Sequence, residues 1–229
     1  MSPGRGNGLH HGITAATGNC LRSKRGPIMK KTAKTDTEDA FKFRSTFGKH
    51  YYDGYGARHE TPHIVAYTGE VTAAGPGRVL ISSPLGSCIA VCAYDPGTQV
   101  GGLAHVMLPG VPPARAETGK DRYAAHALET LFSVMQNEGA DPGNLLICLI
   151  GGANVLRREH DTIHIDNLRS LTSLILQRNL PICRTMTGGS ERMMARMETK
   201  TGRIFQTTGN DPEEMLFDYF THNIESPDN

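Results

Sequence analysis

Tryptophan is missing from this 229-residue chain and aromatic residues make up only 6% of it, so a core has to be built from Val, Ile, Leu and Met. No apolar run is long enough to cross a bilayer and none has the form of a signal-peptide core, which argues against membrane insertion and gives the cytoplasm as the expected location. The formal charge is only +1, so there is no global electrostatic attraction to nucleic acid or to an anionic surface. Neither a G-x-G-x-x-G stretch nor a Walker A loop occurs, which disfavours nucleotide sites of those types. A disulfide framework is lacking too: Cys20, Cys88, Cys92, Cys148 and Cys183 are odd in number and lie on apolar stretches, as reduced thiols do.

What is present divides unevenly. From Met1 to Thr35 the chain carries seven Lys and Arg residues and no acid, the composition of a solvated tail with too little apolar surface to offset the entropy of ordering it. Residues 1–45 are therefore expected to be a basic, disordered tail, with Met29 as a second candidate start, and 46–62 an uncertain lead-in. Residues 63–210 read as the folded domain, and 211–229 as a C-terminal extension.

Within the domain, β-like runs cover His63–Thr68, Arg78–Ser82, Ile89–Tyr94 and Gly102–Met107, divided by Gly and Pro. Asp95-Pro96-Gly97-Thr98 supplies turn residues for a hairpin between the last two. The period then becomes helical from Asp121 to Glu138, with Tyr123, Ala124, Ala127, Leu128, Leu131, Phe132 and Met135 on one face, Asp121 as N-cap and Gly139 as stop. Leu145–Ile150 reads as a central strand, Asp166–Arg178 as a second helix, and Ile182–Thr187, Arg192–Glu198 and Arg203–Thr207 as three more strands. Strands with short connections, interrupted by two long helices, predict an α+β layered domain rather than a regularly alternating parallel sheet.

The stretch Ser82-Ser83-Pro84-Leu85-Gly86-Ser87-Cys88 holds most of the chemical information. A cysteine where a small-residue turn meets a strand can place its sulfur near exposed backbone N–H groups, which stabilise a thiolate and the oxyanion formed when it attacks a carbonyl. The plain alternative is that Cys88 is a small buried hydrophobe, as most free cysteines are. The hairpin folds His105 back beside the strand that begins at Cys88, and a Cys–His pair within reach is the minimal activated nucleophile. On spacing alone, His105 can equally be a satisfied core histidine. A metal site made by Cys88, Cys92 and His105 is a third reading, weakened because no second matched pair of ligands accompanies the cysteines.

Leu85-Gly86-Ser87-Cys88, followed by His105-Val106-Met107-Leu108-Pro109, resembles the L-G-S-C and H-x-M-L-P signature of the chemoreceptor glutamine deamidase family, CheD. The likeness continues through Tyr123, Gly151-Gly152-Ala153, Asn167, Gly188-Gly189 and Thr201-Gly202, and so spans roughly residues 63–207. It implies a layered β-sandwich flanked by helices, like the catalytic domain of cytotoxic necrotizing factor toxins. It also implies a protein-glutamine glutaminase acting on methyl-accepting chemoreceptors in chemotaxis. Cys88 would be its nucleophile, His105 its base, and Ser82 the third member that orients the imidazole; the backbone of Gly86, Ser87 and Cys88 would form the oxyanion hole. No metal or organic cofactor is required. A phosphatase of the CheC type is an implied partner, and a catalytically weak or inactive module that regulates such a phosphatase is the alternative function.

Three positions depart from the family pattern. Ser82 stands where the family has Thr, which keeps the hydroxyl and loses the methyl that restricts its rotamer. Ile163-His164-Ile165-Asp166-Asn167 replaces an I-G-x-R-N type segment, and Met193 occupies the usual Arg position with Arg192 one place early.

Overall fold

A computed structural model describes residues 63–224, with side chains through residue 221. The tail and lead-in, and Cys20 with them, lie outside the described residues. Strand β4 (Ile89–Asp95) is buried at every residue, as a strand covered on both faces must be. It lies between β5 (Val100–Val106) and β6 (Leu146–Gly151), antiparallel to both. With β2 (Val71–Ala74) outside β5 and β7 (Ile182–Thr187) outside β6, these form a five-stranded sheet in the order β2-β5-β4-β6-β7. The second sheet runs β1-β3-β8-β9-β10, from β1 (His63–Ala66), β3 (Val79–Ser82), β8 (Met193–Glu198), β9 (Arg203–Thr208) and β10 (Glu214–Phe217).

The two-residue period of a strand sends alternate side chains of β4 to opposite layers. Ile89, Val91 and Ala93 join one apolar cluster with Leu128, Leu131 and Met135 of α1 (Ala124–Asn137) and Leu171 and Ile175 of α2 (Ile163–Leu176). The other parity faces the second sheet. A Cβ added to Gly101 of β5 would come within 2.7 Å of Met197 and Thr199, while one at Gly102 would strike Leu131 and Met135. The domain is therefore a β-sandwich with both long helices on the outer face of one sheet, the α+β layering expected from the sequence. Among the described residues, no helix is long and apolar enough to cross a membrane.

Some local expectations need correction. Asp121 does not cap α1; it sits in a short 3-10 turn, and Tyr123 occupies the N-cap position. The Ala124 N–H donates to the Leu108 carbonyl, so a tertiary backbone bond sets the start of the helix. The Asp121 carboxylate instead receives the Thr130 hydroxyl at 2.6 Å and faces His126 Nδ1 at 2.7 Å. Gly139 does end the helix region, at φ 98°. Helix α2 begins at Ile163, earlier than Asp166. At the C-terminus β10 pairs antiparallel with β9, so the sheet continues past residue 210 into the segment read as an extension.

Candidate active site

Residues Leu85 to Cys88 form the entry to β4, and their carbonyls are all engaged. The Leu85 carbonyl accepts from Met193 N–H at 2.9 Å, that of Gly86 from Ala153 N–H at 2.8 Å, and that of Cys88 from Gly152 N–H at 2.8 Å. The Ser87 carbonyl accepts from Asn167 Nδ2 at 3.0 Å. A trans peptide is planar, so its N–H points opposite to its C=O. Holding the carbonyls of Leu85, Gly86 and Ser87 inward therefore turns the N–H groups of Gly86, Ser87 and Cys88 the other way. Among the described residues, those three N–H groups donate to no main-chain carbonyl. An anion beside Cys88 meets a ready set of donors.

Cys88 is half-buried, whereas Cys92, Cys148 and Cys183 are buried. Burial pushes the Cys88 thiol above its ordinary value, and its own backbone N–H pulls the other way. Desolvation raises Cys92 to about 12, and it drives Cys148 well above the usual thiol range. Of these groups only Cys88 combines partial exposure with a nearby donor, the setting in which a thiolate can form.

His105 on β5 stands opposite Ala90, and Ala90 lies two residues beyond Cys88. By strand parity Cys88 and His105 therefore share a face, as diagonal rather than directly opposed neighbours. His105 is fully buried between the sheets. Desolvation lowers its imidazole to about 4, partly offset by a hydrogen bond to the Ala66 backbone. Nε2 has no hydrogen-bond partner, and Nδ1 lies 3.0 Å from Ser83 Oγ. With the proton on Nδ1, facing Ser83 Oγ, Nε2 keeps its lone pair. Thiol and imidazole are thus both neutral at rest.

The hydroxyl on this imidazole is not that of Ser82. Ser83 Oγ lies 3.0 Å from His105 Nδ1, while Ser82 Oγ accepts the N–H of Ala195 at 2.9 Å, inside the second sheet. The reason is the exit from β3. Ser83 N–H bonds the Ala66 carbonyl and Leu85 N–H bonds Met193, which swings the chain toward β5 one residue after the strand ends. Sequence reasoning passed over Ser83, and it gave Asn167 no task beyond its place in the family likeness. An adjacent second hydroxyl was the only signal for the first.

Elsewhere the charged run Arg157–Asp161, expected to be a solvated loop, is exposed through His160 and half-buried at Asp161. Cys92 faces Leu103 on one side and Cys148 on the other, in the apolar middle of the sheet.

A thiol at the entry to a central strand and a buried imidazole on the neighbouring strand lie in an α+β sandwich, with three N–H groups beside the thiol that donate to no main-chain carbonyl. The sequence model described as "CheD chemotactic sensory transduction" matches residues 107–208, beginning just past His105. A protein of Chlorobium luteolum named "Probable chemoreceptor glutamine deamidase CheD" is 98% identical over 201 residues, which is 88% of this chain and all of that one. A protein of the same name from Jannaschia is 39% identical over 41% of this chain and 57% of its own. "Probable chemoreceptor glutamine deamidase CheD 1" of Syntrophus aciditrophicus is 32% identical over 59% of this chain and 87% of its own length. The chain belongs to the CheD family.

Proposed function

We propose that this chain hydrolyses the side-chain amide of glutamine on methyl-accepting chemoreceptors, the reaction for which its relatives are named, with Cys88 as nucleophile and His105 as base. The reading is supported by the strand register, which puts both groups on one face of adjacent strands, beside N–H groups that donate to no main-chain carbonyl. Binding of the amide closes the gap between sulfur and imidazole, a tightening common in sites seen without substrate. His105 Nε2 takes the Sγ proton as sulfur attacks the amide carbon, and the carbonyl electrons move onto an oxygen held by the N–H groups of Gly86, Ser87 and Cys88. The intermediate collapses with loss of ammonia, which receives the imidazolium proton, and leaves a thioester. His105 then takes a proton from water, the water oxygen attacks, and the sulfur departs and is reprotonated. Glutamine and water give glutamate and ammonia, with every proton handled by one imidazole.

Ser83 holds the imidazole at Nδ1, the role expected of Ser82. Residues 1–45 take no part in turnover, so a protein starting near Lys42 should keep its rate. The reaction belongs in the cytoplasm, and a CheC-type phosphatase is carried as partner by family resemblance alone.

Incubation with a chemoreceptor cytoplasmic fragment should release ammonia and raise the fragment's mass by about 1 Da per converted glutamine. Conversion that persists in Cys88→Ala would exclude this chemistry. Absence of ammonia from every receptor fragment tried, with the wild-type protein folded, would leave the regulatory module in its place.

A further inference from the structure

Asn167 is fully buried on α2, on the stripe that also buries Leu171 and Ile175. Packing alone would be served by another apolar side chain there, because a buried amide oxygen without a partner costs about 1–3 kcal/mol. Asn167 Oδ1 is such an atom. The amide nitrogen accounts for its presence. Its two hydrogens are both spent, on the carbonyls of Ser87 and Met107, each at 3.0 Å.

Those two carbonyls flank the reacting groups. Ser87 directly precedes Cys88, and Met107 lies two residues past His105. The ladder between β4 and β5 ends at the pair Ile89 and Val106, and beyond it Met107 N–H turns away to the Arg122 carbonyl. Asn167 fills the fork where the strands part. Planarity of the Ser87–Cys88 peptide then fixes the direction of the Cys88 N–H, which points away from Asn167. Of the carbonyls that orient the three free N–H groups, those of Leu85 and Gly86 are held by main chain; only Ser87 depends on a side chain.

We infer that Asn167 is a positioning residue, which sets the Ser87–Cys88 peptide so that the Cys88 N–H meets the anion formed at the site. The inference rests on the deamidase reading for its effect on turnover, but not for its effect on the thiol.

Asn167→Asp keeps the shape and removes both donors, and Asn167→Leu keeps the apolar stripe and removes the amide. In each, kcat should fall about 10²–10³-fold, the usual cost of an oxyanion donor, with KM changed by no more than about threefold, since the loss falls on the transition state. Iodoacetamide labelling of Cys88, followed against pH without substrate, should move to higher pH by about one unit. A merely structural role would instead lower the melting temperature and leave the folded fraction with the wild-type labelling profile. Folded variants with kcat within about twofold of wild type and an unshifted profile would overturn the inference, as would failure of both, and of Asn167→Ser, to fold. If wild type yields no ammonia, the deamidase reading falls while the labelling profile still decides the role of Asn167.

Discussion

The two ends of β4 handle their backbone in opposite ways. At the hairpin end the buried Asp95 carboxylate gathers donors: Gly97 N–H at 2.9 Å, the Thr98 hydroxyl at 2.8 Å and Asp141 N–H at 2.8 Å. At the other end carbonyls are held and N–H groups stand free around Cys88. A turn that only joins strands consumes its donors with its own side chain. The turn at the proposed site borrows distant partners for its acceptors, which leaves its N–H groups without a main-chain acceptor.

Several substitutions set the two ends against each other. The largest effect belongs to Cys88→Ala, which should reduce ammonia release to background while the melting temperature stays near that of wild type. Asp95→Ala should do the reverse: about 3 kcal/mol or more of stability lost in chemical denaturation, because three donors lose their buried acceptor, with kcat per folded molecule unchanged. A loss of kcat in folded Asp95→Ala would mean that the ends are coupled.

His105 gives a contrast in pH. Its folded-state value of about 4 lies below the ordinary 6.5, so the unfolded chain takes up its proton first as pH falls. Its contribution is intact above about 6.5 and is lost between there and about 4, in total about 3 kcal/mol. Urea midpoints across that window should slope less in His105→Gln than in wild type. An equal slope would place the proton uptake elsewhere.

The smallest effects separate two adjacent hydroxyls. Ser83→Ala should lower kcat about ten- to a hundredfold by freeing the imidazole, within the range of a general-base contribution. Ser82→Ala should cost about 1–3 kcal/mol of stability by stranding the Ala195 N–H, and leave kcat nearly alone. Exchanged outcomes would return the orienting role to Ser82.

The hairpin end was legible in the sequence because its cause is local: Asp95-Pro96-Gly97 carries its own turn chemistry, and the apolar runs beside it set the register that brings His105 to the face of Cys88. Strand β2 was not, because Val71-Thr72-Ala73-Ala74 shows no alternation of large and polar residues. It is a strand through its pairing with β5, reinforced where Gly69 N–H meets the His105 carbonyl and His105 N–H the Glu70 carbonyl. Strand β10 opens on Glu214 and is equally short of signal, being an edge recruited by β9. Cys88 and His105 stood out by motif, whereas the choice between Ser82 and Ser83 depends on how the chain leaves β3, fixed by Ala66 and Met193 across the sheet. Asn167 was visible as a likeness to the family, but its task depends on the two carbonyls that the fold delivers to it.

The anchors of the Cys88 turn also impose an order on biosynthesis. Gly86 waits for Ala153, Ser87 for Asn167 and Leu85 for Met193, so Cys88 leaves the ribosome long before the segments that aim its neighbours. A nascent chain carries an ordinary cysteine. Only once residue 193 has emerged and docked can the same sulfur sit beside an organised set of donors, which ties the onset of reactivity to the completion of the sandwich.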